Sequence, residues 1–317
     1  MCLVSVIIPT YNRAHLLDIS VKSVLNQTLK DFELIIVDDG SKDDTKDKVQ
    51  SFNDAQIKYV YKNNSGVSAS RNVGINAAKG KYIAFLDDDD SWPDNYLERM
   101  TSELEQKKGF GLAYCRTVAV RDGVIADMKD ANRYVSGNVT VDIFQTGFVS
   151  PVACVVERKI FNKIWYDEVL DNSEDSDFFL RLSVYTNYLF IEDLVVEINY
   201  TVSSLSSKVD CNRIRSLDRF YFKLGGRDII PVKIANKKFS RSYHQTAKKY
   251  IKIKNYKAAS HLFFKSICFC PYDGRLYLKF ITSKILSFFY ISDWQMPQSL
   301  GMPVATNIVG QETLIND

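Results

Sequence analysis

The chain has 317 residues, which is longer than one typical domain, so one large or two modest domains are expected. Hydrophobic residues make up 46% and charged residues 25%, which is typical of a globular protein that buries a core without disulfide staples. The formal net charge of +3 is too small to indicate nucleic-acid binding by itself.

The six cysteines indicate a reducing compartment. None of them forms a C-x-x-C pair, and several lie in apolar runs, which predicts buried, reduced thiols. No secretory leader pattern is present, and the best apolar run, Phe280–Ile291, contains Lys284 and is too short to span a bilayer. We therefore expect a cytoplasmic protein, either free or peripheral at the inner face of the membrane.

Strands and helices alternate over the first 86 residues. The predicted strands are Val4–Pro9, Phe32–Val37, Ile57–Tyr61 and Tyr82–Leu86. The predicted helices are Ala14–Gln27, capped by Asn12, then one from Asp43 or Asp44 to Phe52, and Ser68–Ala78. This alternation predicts an α/β fold with a mixed, mostly parallel sheet and flanking helices. In such sheets, ligands bind beyond the carboxyl ends of the strands.

The rest of the chain is less regular and ends in helices. We predict short strands at Leu112–Val120, Val152–Glu157 and Leu194–Asn199. One helix is predicted near Ser176–Tyr185. Later helices are predicted at Ile214–Leu224, Ser240–Ile253, Tyr256–Cys268 and Gly274–Tyr290, and the middle pair resembles one tetratricopeptide hairpin. The expected division is a catalytic domain at 1–207, a helical region at 208–295 and a disordered tail at 296–317.

Two acidic clusters follow predicted strands. Asp38 and Asp39 come after the second strand. They either bind a base or ribose, or cap a helix and form a tight turn, and the residues alone favour neither interpretation. Asp87–Asp90 come after the fourth strand, where four adjacent like charges are costly unless a cation compensates them. Carboxylate oxygens suit Mg²⁺ or Mn²⁺, so a metal site is favoured over an open acidic loop.

A third acidic cluster precedes the predicted helix at Ser176. Asp177 or Ser176 capping that helix is the simpler interpretation. Alternatively, Glu174 or Asp175 acts as a general base toward a sugar hydroxyl.

Other nucleotide and metal motifs are excluded. Gly74–Lys81 lacks the spacing and the Ser or Thr of a phosphate loop, and no G-x-G-x-x-G follows the first strand. The three histidines have no metal-ligand spacing.

Five motifs in order give the chain a family resemblance. They are residues 5–13 (SVIIPTYNR), 35–41 (IIVDDGS), 66–72 (GVSASRN), 85–90 (FLDDDD) and 174–181 (EDSDFFLR). Each is weak alone, but the ordered set closely resembles the inverting family 2 glycosyltransferases of the GT-A fold. The resemblance covers roughly the first two-thirds of the chain.

The resemblance implies roles for individual residues. It assigns nucleotide binding to Pro9, Tyr11, Asn12, Asp39, Gly66, Arg71, Asp87 and Asp88, with Asp39 on the base. It makes Asp89 the direct ligand of Mn²⁺ or Mg²⁺, with Asp87 also at the metal and nearer the ribose. Asp175 becomes the base that deprotonates the acceptor hydroxyl for a single, inverting displacement. Glu174 and Trp165 are placed on the acceptor side.

The implied function is transfer of a hexosyl or N-acetylhexosaminyl group from a UDP-sugar to a glycan or glycolipid. Two departures are visible: residues 199–207 lack the histidine that relatives often carry, and 165–168 (WYDE) replaces a common glycine-containing segment. The alternatives are a sugar-phosphate nucleotidyltransferase and a non-catalytic scaffold that kept the fold.

The C-terminal helices are expected to hold a partner, a second copy or a membrane surface. For the last helix, whose apolar residues are Leu276, Phe280, Ile285, Phe288 and Phe289, core packing is favoured over membrane contact.

Overall fold

The computed structural model describes residues 2–121, 124–128, 134–147, 149–170, 172–199 and 211–289. The chain divides into two compact units, an N-terminal unit, Met1–Lys238, and a C-terminal unit, Phe239–Asp317. The N-terminal unit thus extends past the division at 207 expected from the sequence. The expected tail at 296–317 lies outside the described residues.

One sheet organises the N-terminal unit. The strands that the structure describes are β1 Val4–Thr10, β2 Phe32–Asp38, β3 Ile57–Tyr61, β4 Tyr82–Phe85, β5 Phe110–Arg121, β6 Val124–Met128, β7 Cys154–Glu157 and β8 Asn187–Asn199. Their order is β3-β2-β1-β4-β7-β5-β6, with β8 also paired to β5. The pairs among β1 to β4 are parallel, whereas β7 runs antiparallel to β4 and β5. The predicted mixed sheet is confirmed.

The described helices of the N-terminal unit flank this sheet. They are α1 Leu17–Leu25, α2 Thr45–Ser51, α3 Val67–Ala77, α4 Tyr96–Gln106, α5 Thr140–Thr146, α6 Glu174–Leu182, α7 Asn212–Lys223 and α8 Gly226–Ile229, and α9 Val232–Lys252 continues into the C-terminal unit. The sequence analysis missed α4, α5, α8 and β6.

The strand β1 is buried on both faces, which explains its unbroken apolar run. Val6 and Ile8 share a core with Val21 of α1 and Leu97 of α4. On the other face, Ile7 approaches α3 so closely that a Cβ added to Gly74 would lie 2.4 Å from its Cγ2. Only a glycine allows this helix to lie so near the sheet.

The parallel register aligns the ends of the central strands. Thr10 pairs with Asp38, and Ile7 pairs with Phe85, the last residue of β4. The polar segments that follow β1, β2 and β4 therefore emerge at one edge of the sheet. This is the edge at which ligands are expected to bind.

A network of ion pairs and hydrogen bonds attaches α7 to α6 within the N-terminal unit. Arg219 of α7 donates to both oxygens of Asp177 on α6, each at 2.7 Å, and Ser216 donates to Oδ1 at 2.8 Å. Because these contacts join both helices at the buried Asp177 carboxylate, α7 belongs to the same compact unit as α6. The boundary at 207 was predicted from local composition, which does not reveal a contact between residues 42 positions apart.

The C-terminal unit contains the end of α9, α10 Tyr256–Phe269 and α11 Gly274–Phe289. The helices α9 and α10 pack through stacked Phe239 and Phe269, 5.0 Å apart, and through a buried contact of 2.9 Å between the hydroxyls of Ser240 and Ser266. None of the described helices is both long and apolar enough to cross a bilayer.

None of the six cysteines, all of which lie within the described residues, forms a disulfide. The prediction of buried thiols is confirmed for Cys115, Cys154 and Cys211, whereas Cys268 is exposed. Burial raises the pKa of the Cys115 and Cys154 thiols, which keeps them protonated and unreactive.

Candidate active site

The Asp39 carboxylate is buried and held by backbone donors at the end of β2. The N–H of Ser65 donates to its Oδ1 at 2.9 Å, and the N–H of Gly66 donates to its Oδ2 at 2.8 Å. The ammonium of Lys62 also pairs with Oδ1. Oδ2 thus keeps a lone pair for a further donor, such as a base N–H.

Asp38, by contrast, supports the turn. Its Oδ1 accepts from the N–H of Ser41 at 2.8 Å, and its Oδ2 accepts from the hydroxyl of Tyr59 at 2.6 Å. Burial and the adjacent Asp38 charge raise the pKa of Tyr59, so that hydroxyl stays protonated. The turn interpretation is thus right for Asp38, whereas binding of a base or ribose by Asp39 stays a prediction.

The segment after β1 forms the neighbouring wall. Pro9 is buried within β1, and Tyr11 is 44% exposed. Asn12 has a left-handed φ of 53°, and its Oδ1 accepts from the N–H of Lys42 at 2.7 Å. The predicted capping of a helix by Asn12 is wrong, because this side chain instead binds the loop after β2 and α1 begins only at Leu17.

The four aspartates after β4 have different environments. Asp88 is buried and accepts from Thr10 Oγ1 at 2.8 Å and from Arg13 at 2.7 Å. Asp89 pairs with the same Arg13 nitrogen at 3.1 Å. Burial raises the pKa of both carboxyls, against the lowering effect of Arg13.

Asp90 and Asp87 complete the acidic cluster. Asp90 accepts from the N–H of Asn199 at 2.9 Å, and burial followed by the charge of Asp87 raises its pKa to about 8. The Asp87 side chain is 38% exposed, and its Oδ1 accepts from Arg71 at 3.1 Å. Negative charge is therefore concentrated at this edge of the sheet, and Asp87 is a more accessible aspartate than Asp88 or Asp89.

The donor set at this edge is made of oxygen atoms, as Mg²⁺ and Mn²⁺ prefer. No group of three or more metal-ligating side chains converges among the described residues. Asp87 and Asp89 offer carboxylate oxygens at this edge, and such a metal usually takes one or two carboxylates from the protein and its other ligands from a diphosphate and water. The residues present are thus compatible with the predicted ion.

Arg71 of α3 joins the acidic cluster to α6. Its guanidinium is buried and donates to Asp87 Oδ1 at 3.1 Å and to Asp175 Oδ1 at 2.7 Å, and it lies 3.5 Å from Glu174. It also lies 5.2 Å from the centre of the Tyr166 ring. Two residues that are 88 positions apart in the chain therefore share one cation.

Asp175 stands at the start of α6 with one oxygen engaged. No described residue donates to its Oδ2, and its side chain is 34% exposed, so the second oxygen is accessible. Burial raises the pKa of Asp175 to about 7, because desolvation and the charges of Glu174 and Asp87 outweigh the lowering effect of Arg71. A carboxylate with this pKa is suited to accept a proton near neutral pH.

Within residues 165–168, Tyr166 lies against Arg71, the partner of Asp175. The Tyr166 ring stacks on Phe178 at 4.1 Å, and the Asn72 side chain bonds both the N–H and the carbonyl of Tyr166 at 3.0 Å. These contacts position Trp165, which is 41% exposed. The sequence analysis assigns no individual role to Asn72 or Tyr166, although Asn72 ends one of the five motifs and Tyr166 lies in the divergent segment 165–168.

Asp177 does not cap α6. Its buried carboxylate accepts from Arg181 at 2.6 Å as well as from Arg219 and Ser216, and the residue at the helix start is Ser173, without a side-chain cap. The predicted capping role of Asp177 is therefore wrong. The reason is that α7, 42 residues away in sequence, supplies stronger donors than the helix terminus does.

Comparison with known proteins places this chain in a family. Residues 5–165 match the model described as glycosyl transferase family 2. The UDP-Glc:alpha-D-GlcNAc-diphosphoundecaprenol beta-1,3-glucosyltransferase WfgD of Escherichia coli is 30% identical over 226 residues, which are 70% of this chain and 85% of that protein. An uncharacterized glycosyltransferase of Rickettsia bellii is 34% identical over 184 residues, which are 57% of this chain. The chain spans about a quarter, 26%, of that relative's length.

Solved structures share the fold. Staphylococcus aureus TarS 1-349 in complex with UDP-GlcNAc superposes with a TM-score of 0.58 at 15% identity, over 90% of this chain and 91% of that one. The mannosyltransferase PcManGT from Pyrobaculum calidifontis, in complex with GDP-Man and Mn²⁺, gives a TM-score of 0.53 at 15% identity, over 90% and 81%. The GT-A fold predicted from the motifs is thereby confirmed. With more than half of its length matched by the family model, and WfgD similar over 70%, the chain belongs to glycosyl transferase family 2.

Proposed function

We propose that this protein transfers a sugar, with inversion, from a UDP-sugar to a hydroxyl of a glycan or glycolipid acceptor. The observation that carries the proposal is the arginine bridge between Asp87 and Asp175. The buried guanidinium of Arg71 contacts both Asp87, which we assign to the donor, and Asp175, which we assign as the base. Only this one side chain separates the two carboxylates. Direct displacement requires the donor and the acceptor to be bound next to each other, as neighbouring donor and base carboxylates allow.

Asp175 is the base in this proposal. Its accessible Oδ2 takes the proton from the acceptor hydroxyl, and that oxygen attacks the anomeric carbon from the face opposite the diphosphate. The bond from the anomeric carbon to the diphosphate breaks, and the nucleoside diphosphate leaves with the bonding electrons. The pKa of about 7 allows Asp175 to be ionised before the attack and protonated after it.

Asp89 and Asp87 are the proposed protein ligands of Mn²⁺ or Mg²⁺. When bound, the ion neutralises charge that grows on the leaving diphosphate. Arg13 holds Asp89 by one oxygen and Arg71 holds Asp87 by one oxygen, so each carboxylate keeps its second oxygen for the ion. The Mn²⁺ complex of PcManGT, which shares the fold, supports the presence of a metal ion.

Donor binding is assigned to the edge formed by the segments after β1 and β2. Asp39 Oδ2 is the acceptor for a base N–H, and exposed Tyr11 and Asn12 flank it. Arg71 contributes through Asp87 and Asp175, since its guanidinium is occupied by these carboxylates. The acceptor side is assigned to exposed Trp165 and to Glu174, which lies 3.5 Å from Arg71.

The names of relatives support the substrate class. WfgD is named for UDP-glucose and for a sugar on diphosphoundecaprenol, and TarS was solved with UDP-GlcNAc. We therefore infer a UDP-hexose or UDP-N-acetylhexosamine donor and a lipid-linked glycan acceptor. A sugar-phosphate nucleotidyltransferase is disfavoured, because the segment after β1 has Tyr11, Asn12 and Arg13 in place of a glycine-rich loop with lysine.

Nucleotide release tests the proposal. The protein is incubated with UDP-, GDP- and dTDP-sugars, a lipid-linked glycan panel, and Mn²⁺, Mg²⁺ or EDTA. We expect release of UDP from one donor class only with metal, and a product whose anomeric configuration is opposite to that of the donor. Asp89→Ala is expected to abolish the metal-dependent rate.

The control variant is Asp193→Ala, an exposed aspartate paired only with Arg99 on the surface. It should leave the rate unchanged. Nucleotide binding is recorded in the same samples by calorimetry. If no nucleotide binds with either metal, the enzyme hypothesis fails and a non-catalytic scaffold takes its place.

A further inference from the structure

The helix α11 has apolar residues on two opposite faces. Its inner face carries buried Leu276 and half-buried Phe280, whose ring lies 5.7 Å from that of Phe264 on α10. The favoured sequence interpretation, core packing, is thus right for this face. It is wrong for Ile285 and Phe288, which are exposed.

The outer face of α11 is an exposed apolar stripe, formed by Leu278, Ile281, Ile285 and Phe288. Their exposed fractions are 69%, 52%, 53% and 76%. The spacing of three, four and three residues places all four on one side of the helix. Exposed apolar residues gathered in this way mark an interaction surface, whereas scattered ones do not.

The charge of the same unit limits what can cover the stripe. Between positions 239 and 289 there are ten lysine and arginine residues and a single acidic one, Asp273. On α11 itself, Arg275 and Lys284 are exposed, and no acidic residue is present. A second copy of this unit would bring two strongly positive surfaces together, which disfavours self-association through the stripe.

We propose that the outer face of α11 docks on the surface of an anionic lipid bilayer. The four apolar side chains enter the boundary between head groups and acyl chains, while the cations of the unit meet the negative head groups. The helix lies in the membrane plane, since it is too short to cross a bilayer. Lys284 lies 5.9 Å from the Phe288 ring, so the charge and the apolar anchor are adjacent.

This proposal goes beyond sugar transfer and does not depend on it. A bilayer surface is where a lipid-linked acceptor resides, so docking would raise the local acceptor concentration if the proposed function is correct. Vesicle binding and UDP binding are separate measurements, and either can fail alone.

Sedimentation with vesicles tests the docking of the full chain. We expect binding to vesicles of phosphatidylcholine containing about one-third phosphatidylglycerol, and little binding to phosphatidylcholine alone. Binding should weaken as salt rises from about 0.1 to 0.5 M. The double variant Ile281→Ser/Ile285→Ser should lose about tenfold or more in vesicle affinity, and Lys284→Glu about fivefold.

The matched control is Ile253→Ser, an equally exposed isoleucine in the same unit but not on α11. It should bind vesicles as the unmodified chain does, and all variants should keep their circular dichroism and UDP binding. Equal vesicle binding by the control and the double variant would overturn the proposal, as would failure of the unmodified chain to bind. A dimer in sedimentation velocity that the double variant abolishes would also overturn it, in favour of self-association.

Discussion

Asp175 and Asp177 stand two residues apart on α6, and each is paired with an arginine from a distant helix. Asp177 is 1% exposed, and Arg181, Arg219 and Ser216 occupy its two oxygens. Asp175 is a third exposed and accepts from Arg71 through a single oxygen. The difference teaches that a buried carboxylate whose two oxygens both accept hydrogen bonds serves to join helices. A carboxylate with one accessible oxygen and a raised pKa can instead exchange protons.

The largest effect is expected for Asp175→Asn. The amide has nearly the same shape but takes no proton from the acceptor, so kcat should fall by about 100- to 10,000-fold. The UDP affinity and the unfolding midpoint should change little. Steady-state transfer rates and calorimetric UDP binding check this. A variant that keeps more than a tenth of the rate would contradict the role of Asp175 as base.

The matched change at the neighbouring site is Asp177→Asn. It leaves Arg219 and Arg181 facing a neutral side chain at the buried Asp177 position and should lower the free energy of unfolding by about 3 kcal/mol. The urea midpoint measures this loss, while kcat of the remaining folded protein should stay within a few-fold of the original. A large fall in kcat with unchanged stability would remove the distinction between the two aspartates.

A smaller effect concerns pH. Since only ionised Asp175 accepts a proton, kcat/KM should rise as pH increases and level off above its pKa of about 7. Arg71→Gln removes a charge that lowers this pKa, so the midpoint should move upward by roughly one unit. Arg219→Gln serves as the control because Arg219 pairs with Asp177 and Asp167, and its midpoint should not move.

The smallest expected effect is that of Ser216→Ala. It removes one of several donors to Asp177, and the free energy of unfolding should fall by about 1 kcal/mol. Ser51→Ala, which removes an exposed hydroxyl bonded within its own helix, should change it less. If both variants lose equal stability, the buried network around Asp177 contributes less than its geometry indicates.

The first four strands could be predicted because their signals are local. β1 and β2 are buried, β-branched runs, and the motifs that follow them carry the candidate site residues. The pattern failed for β8, whose residues 191–194 (IEDL) break the alternation where its register with β5 shifts. The helix α4 was missed although Tyr96, Leu97, Met100 and Leu104 are buried at helical spacing, so a signal for it was present.

The pairing of charges within the site could not be predicted. Arg71 and Asp175 are 104 residues apart, and nothing in either local sequence favours that pair over others. The same holds for Asp177 and Arg219, which led to an incorrect assignment of Asp177 as a cap. Motif order brings the candidate residues to one edge of the sheet, but the pairing of charges across α3, α6 and α7 depends on tertiary packing.

The contacts of Asp39 have a consequence for the cost of binding. Its carboxylate ties the turn after β2 to the amides of Ser65 and Gly66, so these two stretches of backbone are already ordered in the free protein. A ligand arriving at this edge avoids a cost of about 1–2 kcal/mol for each backbone residue that it would otherwise have to immobilise. Loss of Asp39 should therefore appear as faster amide hydrogen exchange at Ser65 and Gly66, even when no nucleotide is present.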